Sequence, residues 1–217
     1  MRIEMNALLK FCAPLLLAVC VFPLHAEETS ELPEPHQVVD DVTRQVIALI
    51  RDTQTREQVD VQAFKADIYE LLNPRLDWVG FSRGVMGQHF QAATEVQRTG
   101  FVESVRVMLL DFYAAAMLRL QDQEIRVLMP KAPPSNLNRV NVNLEFVGSD
   151  GQAIPIVFYM RRTSEGAEWK LVNINLAGIN LGLTWRNQFG RIMDVTGDID
   201  QAIIEFAAAV IAASPQR

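Results

Sequence analysis

The sequence predicts an α+β protein, in which an antiparallel sheet of about four strands packs against a helical N-terminal part and C-terminal helices. Three observations support this prediction. Apolar residues recur at helical spacing over residues 36–120, period-two segments joined by short turns fill residues 125–176, and another apolar helical segment covers residues 198–213. Helices followed by a strand meander and further helices are typical of an α+β domain rather than of alternating βαβ units.

The first 26 residues predict a secretory signal peptide. Arg2 and Lys10 precede an apolar run over residues 11–22, and the small residue Ala26 stands immediately before an acidic stretch. The run is shorter than the roughly 20 apolar residues of a membrane span, so a retained anchor is the weaker alternative. We therefore expect secretion of the chain and cleavage after Ala26.

Both cysteines of the chain, Cys12 and Cys20, lie within this predicted signal peptide. After cleavage the protein has no thiol, which excludes disulfides and thiolate chemistry. Acylation at Cys20 is the competing interpretation, but the branched Val19 stands where a lipoprotein signal needs a small residue. The mature domain is thus expected to be held together by its apolar core alone.

The charge of the mature chain is negative but unevenly distributed. Removal of residues 1–26 leaves 18 basic and 25 acidic residues, a net charge of −7, which disfavours binding to nucleic acid by bulk attraction. Residues 125–191 hold eight basic and four acidic residues. The eight cations either form a patch for a phosphate head group or an acidic partner, or are the solvated faces of amphipathic strands. They are Arg126, Lys131, Arg139, Arg161, Arg162, Lys170, Arg186 and Arg191.

The helical part begins after a short leader. Residues 27–35 are acidic and contain two prolines, which predicts a flexible leader before a single domain over residues 36–213. Helical spacing of apolar residues and the breaking dipeptide Asn73-Pro74 set the expected boundaries. The predicted helices run from His36 onward, over 61–71, over 78–87 and over 95–120.

The longest of these helices carries a very wide apolar stripe. Such a stripe implies burial on more than one side, against a sheet, other helices or a bound apolar ligand. The sequence alone leaves two interpretations open, a central core helix and the wall of a binding cavity. The apolar side chains are Phe101, Val102, Val105, Leu109, Leu110, Phe112, Tyr113, Ala116 and Met117.

Four strands are predicted in the next part of the chain, and short turns at 148–151 and 164–166 make neighbours antiparallel. The strands cover residues 125–129, 139–147, 153–163 and 169–176. In the second strand, polar and apolar residues alternate, so the sheet is expected to have one apolar and one wet face. The apolar set is Val140, Val142, Leu144 and Phe146, and the polar set is Arg139, Asn141, Asn143 and Glu145.

The fourth predicted strand ends at Gly178. A helix is predicted directly after this glycine, and the final helix covers residues 198–213. Within the strand, strict alternation predicts that Lys170, Val172, Ile174 and Leu176 share one face, opposite Trp169, Leu171, Asn173 and Asn175.

Few residues point to catalysis or to metal binding. His36 and His89 are the histidines that remain after processing, and neither has a ligand spacing such as HExxH. The sequence contains no phosphate-binding loop and no dinucleotide fingerprint. We therefore predict no catalytic residue, no metal and no cofactor.

Two segments carry a family resemblance. The dipeptide W-K at residues 169–170 is followed by G-I-N-L at residues 178–181, which begins eight residues after the lysine. W-R-N-Q-F then follows at residues 185–189. This pattern resembles the MlaC family, also called the toluene-tolerance family, where it is close to WKVYD, EGVSL and YRxQF. Residues 81–118 are similar to the family's LGxxW, PEQRxxF and LLxxTYAxxL segment, so the resemblance covers most of the mature chain. This chain departs from the family pattern at five positions. It has Phe90 where the family has Trp, Asn173 where it has Asp, Ala177 where it has Glu, Asn180 where it has Ser and Trp185 where it has Tyr.

The resemblance implies a function and a set of partners. Members of this family are soluble periplasmic phospholipid carriers, which would make the sheet and helices enclose an apolar lipid cavity. The implied partners are an outer-membrane lipoprotein complex and an inner-membrane ABC transporter with a ring-forming lipid-binding subunit. The implied role is to shuttle phospholipid between the two membranes and so maintain outer-membrane lipid asymmetry. Phospholipid would be the bound ligand, and the protein would not be an enzyme.

Alternation and helical phase then predict which residues line the cavity, between the apolar face of the sheet and the longest helix. Ordinary core packing is the alternative for each of them. The predicted lipid-binding residues are Leu109, Phe112, Tyr113, Ala116, Met117, Val142, Leu144, Phe146, Ile156, Phe158, Met160, Ile174, Leu176, Ile179 and Leu181.

Two other functions are compatible with the sequence. One is a periplasmic enzyme acting on a hydrophobic substrate, with His89, Asp111 or Tyr113 as acid or base. The other is a scaffold that bridges proteins and binds no small molecule. An enzyme would show a pH profile, whereas a scaffold would have an interior filled by its own side chains.

Overall fold

The computed structural model describes residues 32–118, 124–148 and 151–212, and in the longest helix the side chains at 111–113, 115 and 116 lie outside that description. Helices occupy the first half, a five-stranded antiparallel sheet follows, and two helices end the described chain. The α+β prediction is confirmed. None of the described helices combines the length and apolar composition that crossing a bilayer requires.

The second and third helices begin at aspartate side chains that accept hydrogen bonds from free backbone N–H groups. Asp60 caps the second helix by accepting from Gln62 and Ala63 at 2.9 and 3.0 Å. Asp77 caps the third helix by accepting from the Gly80 N–H at 2.8 Å. The helices are α1 (Glu34–Thr55), α2 (Val61–Leu72), α3 (Trp78–Met86), α4 (His89–Ala92) and α5 (Glu95–Met117), with a 3₁₀ turn at Asn73–Arg75.

Helix α1 starts two residues earlier than the sequence predicts. Pro35 lies in its first turn, where proline costs no hydrogen bond. The Glu34 carboxylate accepts from Trp169 Nε1 at 3.1 Å and from Arg162 Nη1 at 3.2 Å. Because of these contacts, the last residues of the predicted leader, 34 and 35, belong to the folded domain. Residues 27–31 lie outside the described residues.

The sheet is a meander in which every strand pairs with its neighbour in the chain. Its order is β1 (Glu124–Val127), β2 (Arg139–Val147), β3 (Ala153–Arg161), β4 (Lys170–Leu176) and β5 (Ile179–Asn180). The first four strands confirm the prediction, but the fifth replaces the expected direct entry into a helix. Ala177 and Gly178 both have positive φ, at 51° and 85°, and this two-residue turn sends the chain back along β4.

Asn180 ends β5 and starts the next helix. Its side-chain oxygen accepts from the Leu183 N–H at 2.9 Å and from Asn173 Nδ2 at 2.8 Å. Asn173 in turn accepts from the Gly182 N–H at 2.9 Å, which ties β4 to the helix start. A Cβ at Gly182 would come within 2.8 Å of that Asn173 oxygen, so glycine permits the close approach.

A register shift in β3 and β4 corrects one prediction from strict alternation. Phe158 pairs with Ile174, but Met160 pairs with Leu171, so the bulge leaves Val172 without a partner position. Leu171 therefore packs with the apolar face. Val172 instead lines a cleft on the polar face and does not share a face with Ile174.

The two C-terminal helices, α6 (Leu181–Thr196) and α7 (Ile199–Ala212), pack with α3 and α5 around aromatic rings in edge-to-face and tilted contact. Phe101 and Phe189 lie 5.2 Å apart between ring centroids, and Phe189 and Phe206 lie 5.7 Å apart in edge-to-face contact. We call this group the aromatic cluster. It also contains Phe81, Val85, Met86, Phe90, Val105, Met108, Leu109 and Trp185.

Two further cores complete the described part of the molecule. The sheet cluster joins Val39 of α1 to the apolar face of the sheet, at Val140, Val142, Leu144, Met160 and Trp169. The α1–α2 cluster joins Ile50, Phe64 and Ile68 to Ala114 of α5. Helix α5 therefore spans two cores, which explains the width of its apolar stripe.

Candidate functional site

The structure places the predicted pocket residues of the sheet on one face, as alternation predicted. Val142, Leu144 and Met160 are buried in the sheet cluster. Ile156 and Phe158 are half-buried and pack against it. Phe146 and Ile174 are half-buried on the same face, since they pair with Ile154 and Phe158.

The predicted pocket residues of the helices lie in other clusters. Leu109 is buried in the aromatic cluster, and Leu181 packs against that cluster. Met117 packs against the α1–α2 cluster. The side chains of Phe112, Tyr113 and Ala116 lie outside the described residues.

The apolar face of the sheet changes character from one edge to the other. Leu144, Ile156, Leu176 and Ile179 are cross-strand partners in one continuous row over β2 to β5, which we call the apolar row. Leu144 is 1% exposed, Ile156 is half-buried, Leu176 is 45% exposed and Ile179 is 63% exposed. Helix α1 covers the β1–β2 end of this face, whereas Leu176 and Ile179 remain exposed at the β4–β5 end in the part of the chain that the structure describes, which we call the open end.

Ile154 of β3 lies on the same apolar face but is absent from the predicted set. It is exposed, and it pairs with Phe146 on the same face. The signal was present in the sequence, because Ile154 continues the alternation of Ile156 and Phe158 by one step.

The eight cations of residues 125–191 do not form one patch. Arg126 donates to Glu124, which lowers the pKa of that carboxyl and raises the pKa of the guanidinium. Arg162 belongs to the α1 contact, where its guanidinium lies 4.8 Å from the ring centroid of Trp169. Arg139, Arg161 and Lys170 are cross-strand neighbours on the polar face of the sheet.

Neither histidine has the surroundings of a catalytic or metal-binding residue. His36 is buried at the start of α1, neither ring nitrogen has a hydrogen-bond partner among the described residues, and burial lowers its pKa. His89 lies with its ring centroid 6.2 Å from that of Phe189. Among residues 32–118, 124–148 and 151–212, no group of three His, Cys, Asp or Glu side chains could hold a metal ion.

Comparisons with known proteins agree with this architecture. The chain is 29% identical over 198 residues to the toluene tolerance protein ttg2D of Pseudomonas putida, covering 90% of this chain and 89% of that protein. It is 21% identical over 149 residues to the intermembrane phospholipid transport system binding protein MlaC of Haemophilus influenzae, covering 68% and 69% of the two chains.

A solved structure shares the fold. The phospholipid-binding protein from Ralstonia solanacearum, in complex with a phospholipid, matches with a TM-score of 0.72 at 20% sequence identity. The match covers 82% of this chain and 99% of that chain. The family model described as MlaC protein matches residues 40–208, more than three quarters of the sequence. The resemblance that the two sequence motifs suggested is thereby confirmed, and the chain belongs to the MlaC family.

Proposed function

We propose that this protein is a phospholipid carrier that holds acyl chains against the open end of its apolar sheet face. The observation that carries the proposal is the exposure gradient along the apolar row. Burial is nearly complete at Leu144, yet Leu176 and Ile179 keep about half of their surface accessible. Apolar side chains arranged side by side on a rigid sheet and left accessible provide a surface for an apolar ligand.

The energetic need for such a carrier is large. A diacyl lipid exposes about 30 methylenes, and each costs about 0.8 kcal/mol to leave in water, so passage between membranes is opposed by roughly 20 kcal/mol or more. A protein surface that replaces the bilayer interior with another apolar environment removes most of this cost. Loading and unloading then need not be strongly downhill in either direction.

The named relatives support the same ligand. The structural neighbour was solved with a phospholipid bound, and the Haemophilus influenzae relative is named as the binding protein of an intermembrane phospholipid transport system. Together with the family membership, these names favour phospholipid over other apolar ligands for this chain.

We assign roles to the predicted pocket residues from their burial. Val142 and Leu144 form the floor, while Ile174, Leu176 and Ile179 contact the acyl chains directly. The residues that lie between this floor and the residues in contact with the acyl chains are Phe146, Ile156, Phe158 and Met160. Leu109, Phe112, Tyr113, Ala116, Met117 and Leu181 complete the proposed lipid-binding set from the helical side.

The proposal extends to the cellular setting. The predicted signal peptide, cleaved after Ala26, would deliver a domain of residues 36–213 to the periplasm. There it would exchange phospholipid with an outer-membrane lipoprotein complex and an inner-membrane ABC transporter, and so maintain outer-membrane lipid asymmetry. The family membership and the transport-system name of a relative support these partners.

Native mass spectrometry of the mature protein, purified from cells without detergent, tests the ligand. We expect a discrete mass increment that organic extraction identifies as phospholipid. Ile179→Asp should remove the increment, because it places a charge against an acyl chain. The matched control is Val195→Asp on α6, where the valine is 85% exposed and lies outside the apolar row.

The same measurement separates the alternatives. A mass without ligand that persists after incubation with phospholipid vesicles would reject the carrier and favour the scaffold. Equal ligand loss in Ile179→Asp and Val195→Asp would reject the open end of the apolar row as the binding surface.

A further inference from the structure

The polar face of the sheet carries three cations in one cross-strand row. Arg139 of β2 pairs in register with Arg161 of β3, and Arg161 pairs with Lys170 of β4. Side chains that lie directly opposite on neighbouring strands have their Cβ atoms about 5 Å apart, and like charges in such positions repel. A row of this kind is stabilised when negative charge lies against it.

One carboxylate, that of Asp77, lies against the row, and both of its oxygens already have partners within the protein. Asp77 forms an ion pair with Arg161, and its other oxygen caps α3 through the Gly80 N–H. The Asp77 backbone N–H also donates to the Leu171 carbonyl at 2.9 Å, which fixes the aspartate beside β4. Arg139 and Lys170 take part in no ion pair formed within the described part of the chain. The row therefore keeps two uncompensated positive charges.

A cleft of about 280 Å³ opens on this row. Besides Arg139 and Arg161, its lining includes Asn141 and Tyr159, which are cross-strand partners in the next row and supply an amide and a hydroxyl. Gly80 forms part of the wall in the first turn of α3, whose N-terminus Asp77 caps. A Cβ at Gly80 would lie 2.4 Å from Asp77 Oδ2 and 3.0 Å from Arg161 Nη2, so the wall needs glycine.

We propose that this cleft is a binding site for a phosphate group, separate from the apolar row. Guanidinium, hydroxyl and amide donors converge on it, and these are the groups that recognise tetrahedral oxyanions. Its volume suits a small anion or a head group rather than acyl chains. Asn141 and Tyr159 alternate with Val142 and Phe158, which belong to the apolar face, and Met160 is the lining residue that the cleft shares with that face.

Titration calorimetry with inorganic phosphate, at constant ionic strength against chloride, tests the site on the mature protein. We expect saturable binding that weakens about tenfold or more in Arg139→Gln, because a charged hydrogen-bond donor is lost. Arg139 is exposed, so the substitution leaves the fold intact. Arg126→Gln is the matched control, an exposed arginine on the same polar face that is paired with Glu124.

A second arm identifies the source of the phosphate. Vesicles of phosphatidylglycerol present it as a lipid head group, and their binding is compared for the same two variants. Loss of soluble phosphate binding in Arg139→Gln supports a free anion, whereas Arg139-dependent vesicle binding without soluble phosphate binding supports a head group. The proposal is overturned if neither soluble phosphate binding nor vesicle binding depends on Arg139, which includes the case in which phosphate binds no better than chloride and the vesicles bind both variants equally.

Discussion

The two ends of the apolar sheet face use the same residue types for different purposes. At the β1–β2 end, α1 closes over Val140, Val142 and Leu144, and these side chains form a core. At the β4–β5 end, Leu176 and Ile179 belong to the same face but remain accessible. The covered end stabilises the fold whether or not a ligand is present. In the proposed carrier, the open end gains most of its burial when a ligand is bound.

Leu144→Ala tests the covered end with the largest expected effect. Deleting a fully buried leucine side chain lowers the free energy of unfolding by about 2 to 5 kcal/mol, through lost burial and the cavity left behind. Thermal unfolding should show Tm lower by roughly 4 to 20 °C, since each kcal/mol is worth about 2 to 4 °C in a chain of this size. The decrease should be the same for lipid-free and lipid-loaded protein. A Tm that lipid restores to the wild-type value would mean that Leu144 contacts the ligand and that the two ends are not distinct.

Asn173→Ala tests what holds the open end in place. The substitution removes the hydrogen bonds to Asn180 and to the Gly182 N–H, and we expect a loss of about 1 to 3 kcal/mol in the free energy of unfolding. Lipid retention should fall as well, because β5 is no longer fixed against α6. Asn143→Ala on the same polar face is the control, since Asn143 is exposed. Equal losses in both variants would show that the Asn173 network does not position β5.

The pH dependence of stability tests the covered end at His36. Burial disfavours the imidazolium ion and lowers the pKa of this residue, whereas the unfolded chain titrates near the ordinary value of about 6.5. The unfolded state therefore binds the proton more readily. The stability that the folded state gains by keeping His36 neutral is fully present above about pH 6.5. It is lost as the pH falls from that value toward the pKa of His36 in the folded state.

The measurement for His36 is Tm between pH 7.5 and pH 5.5 for the wild type and for His36→Leu. We expect the wild type to lose stability on acidification and His36→Leu to lose less. Identical pH profiles would show that the start of α1 does not exclude the charged imidazole.

Ile179→Ala should have the smallest effect on folding. Because Ile179 is largely exposed, the free energy of unfolding of the lipid-free protein should change by no more than about 0.5 kcal/mol. The fraction of protein that retains phospholipid should nevertheless decrease, with Val195→Ala unchanged. A stability loss comparable to that of Leu144→Ala would abolish the distinction between the two ends.

Local patterns predicted much of this structure because local rules control it. Helical spacing and the breaker Asn73-Pro74 located α2, and period-two alternation placed Val142 and Leu144 on one face of β2. The β3–β4 bulge escaped prediction because it depends on the pairing of two strands. Strict alternation therefore placed Val172 on the wrong face.

The candidate site was predictable only in outline. Alternation grouped the sheet residues correctly, but it did not show which of them α1 would cover. That division depends on packing between segments more than 90 residues apart, such as Val39 and Val140. The short strand β5 was missed because Asn180 serves both the strand and the following helix.

The short length of β5 limits strand pairing between copies of this protein at that edge of the sheet. A sheet edge presents unpaired N–H and C=O groups, and a long apolar edge invites another chain to add a strand. Here the edge strand has two residues, and the chain turns at once into α6. A strand from another copy could therefore pair with only two residues of β5. The protein can thus display exposed isoleucine and leucine at this edge without offering a template for polymerisation.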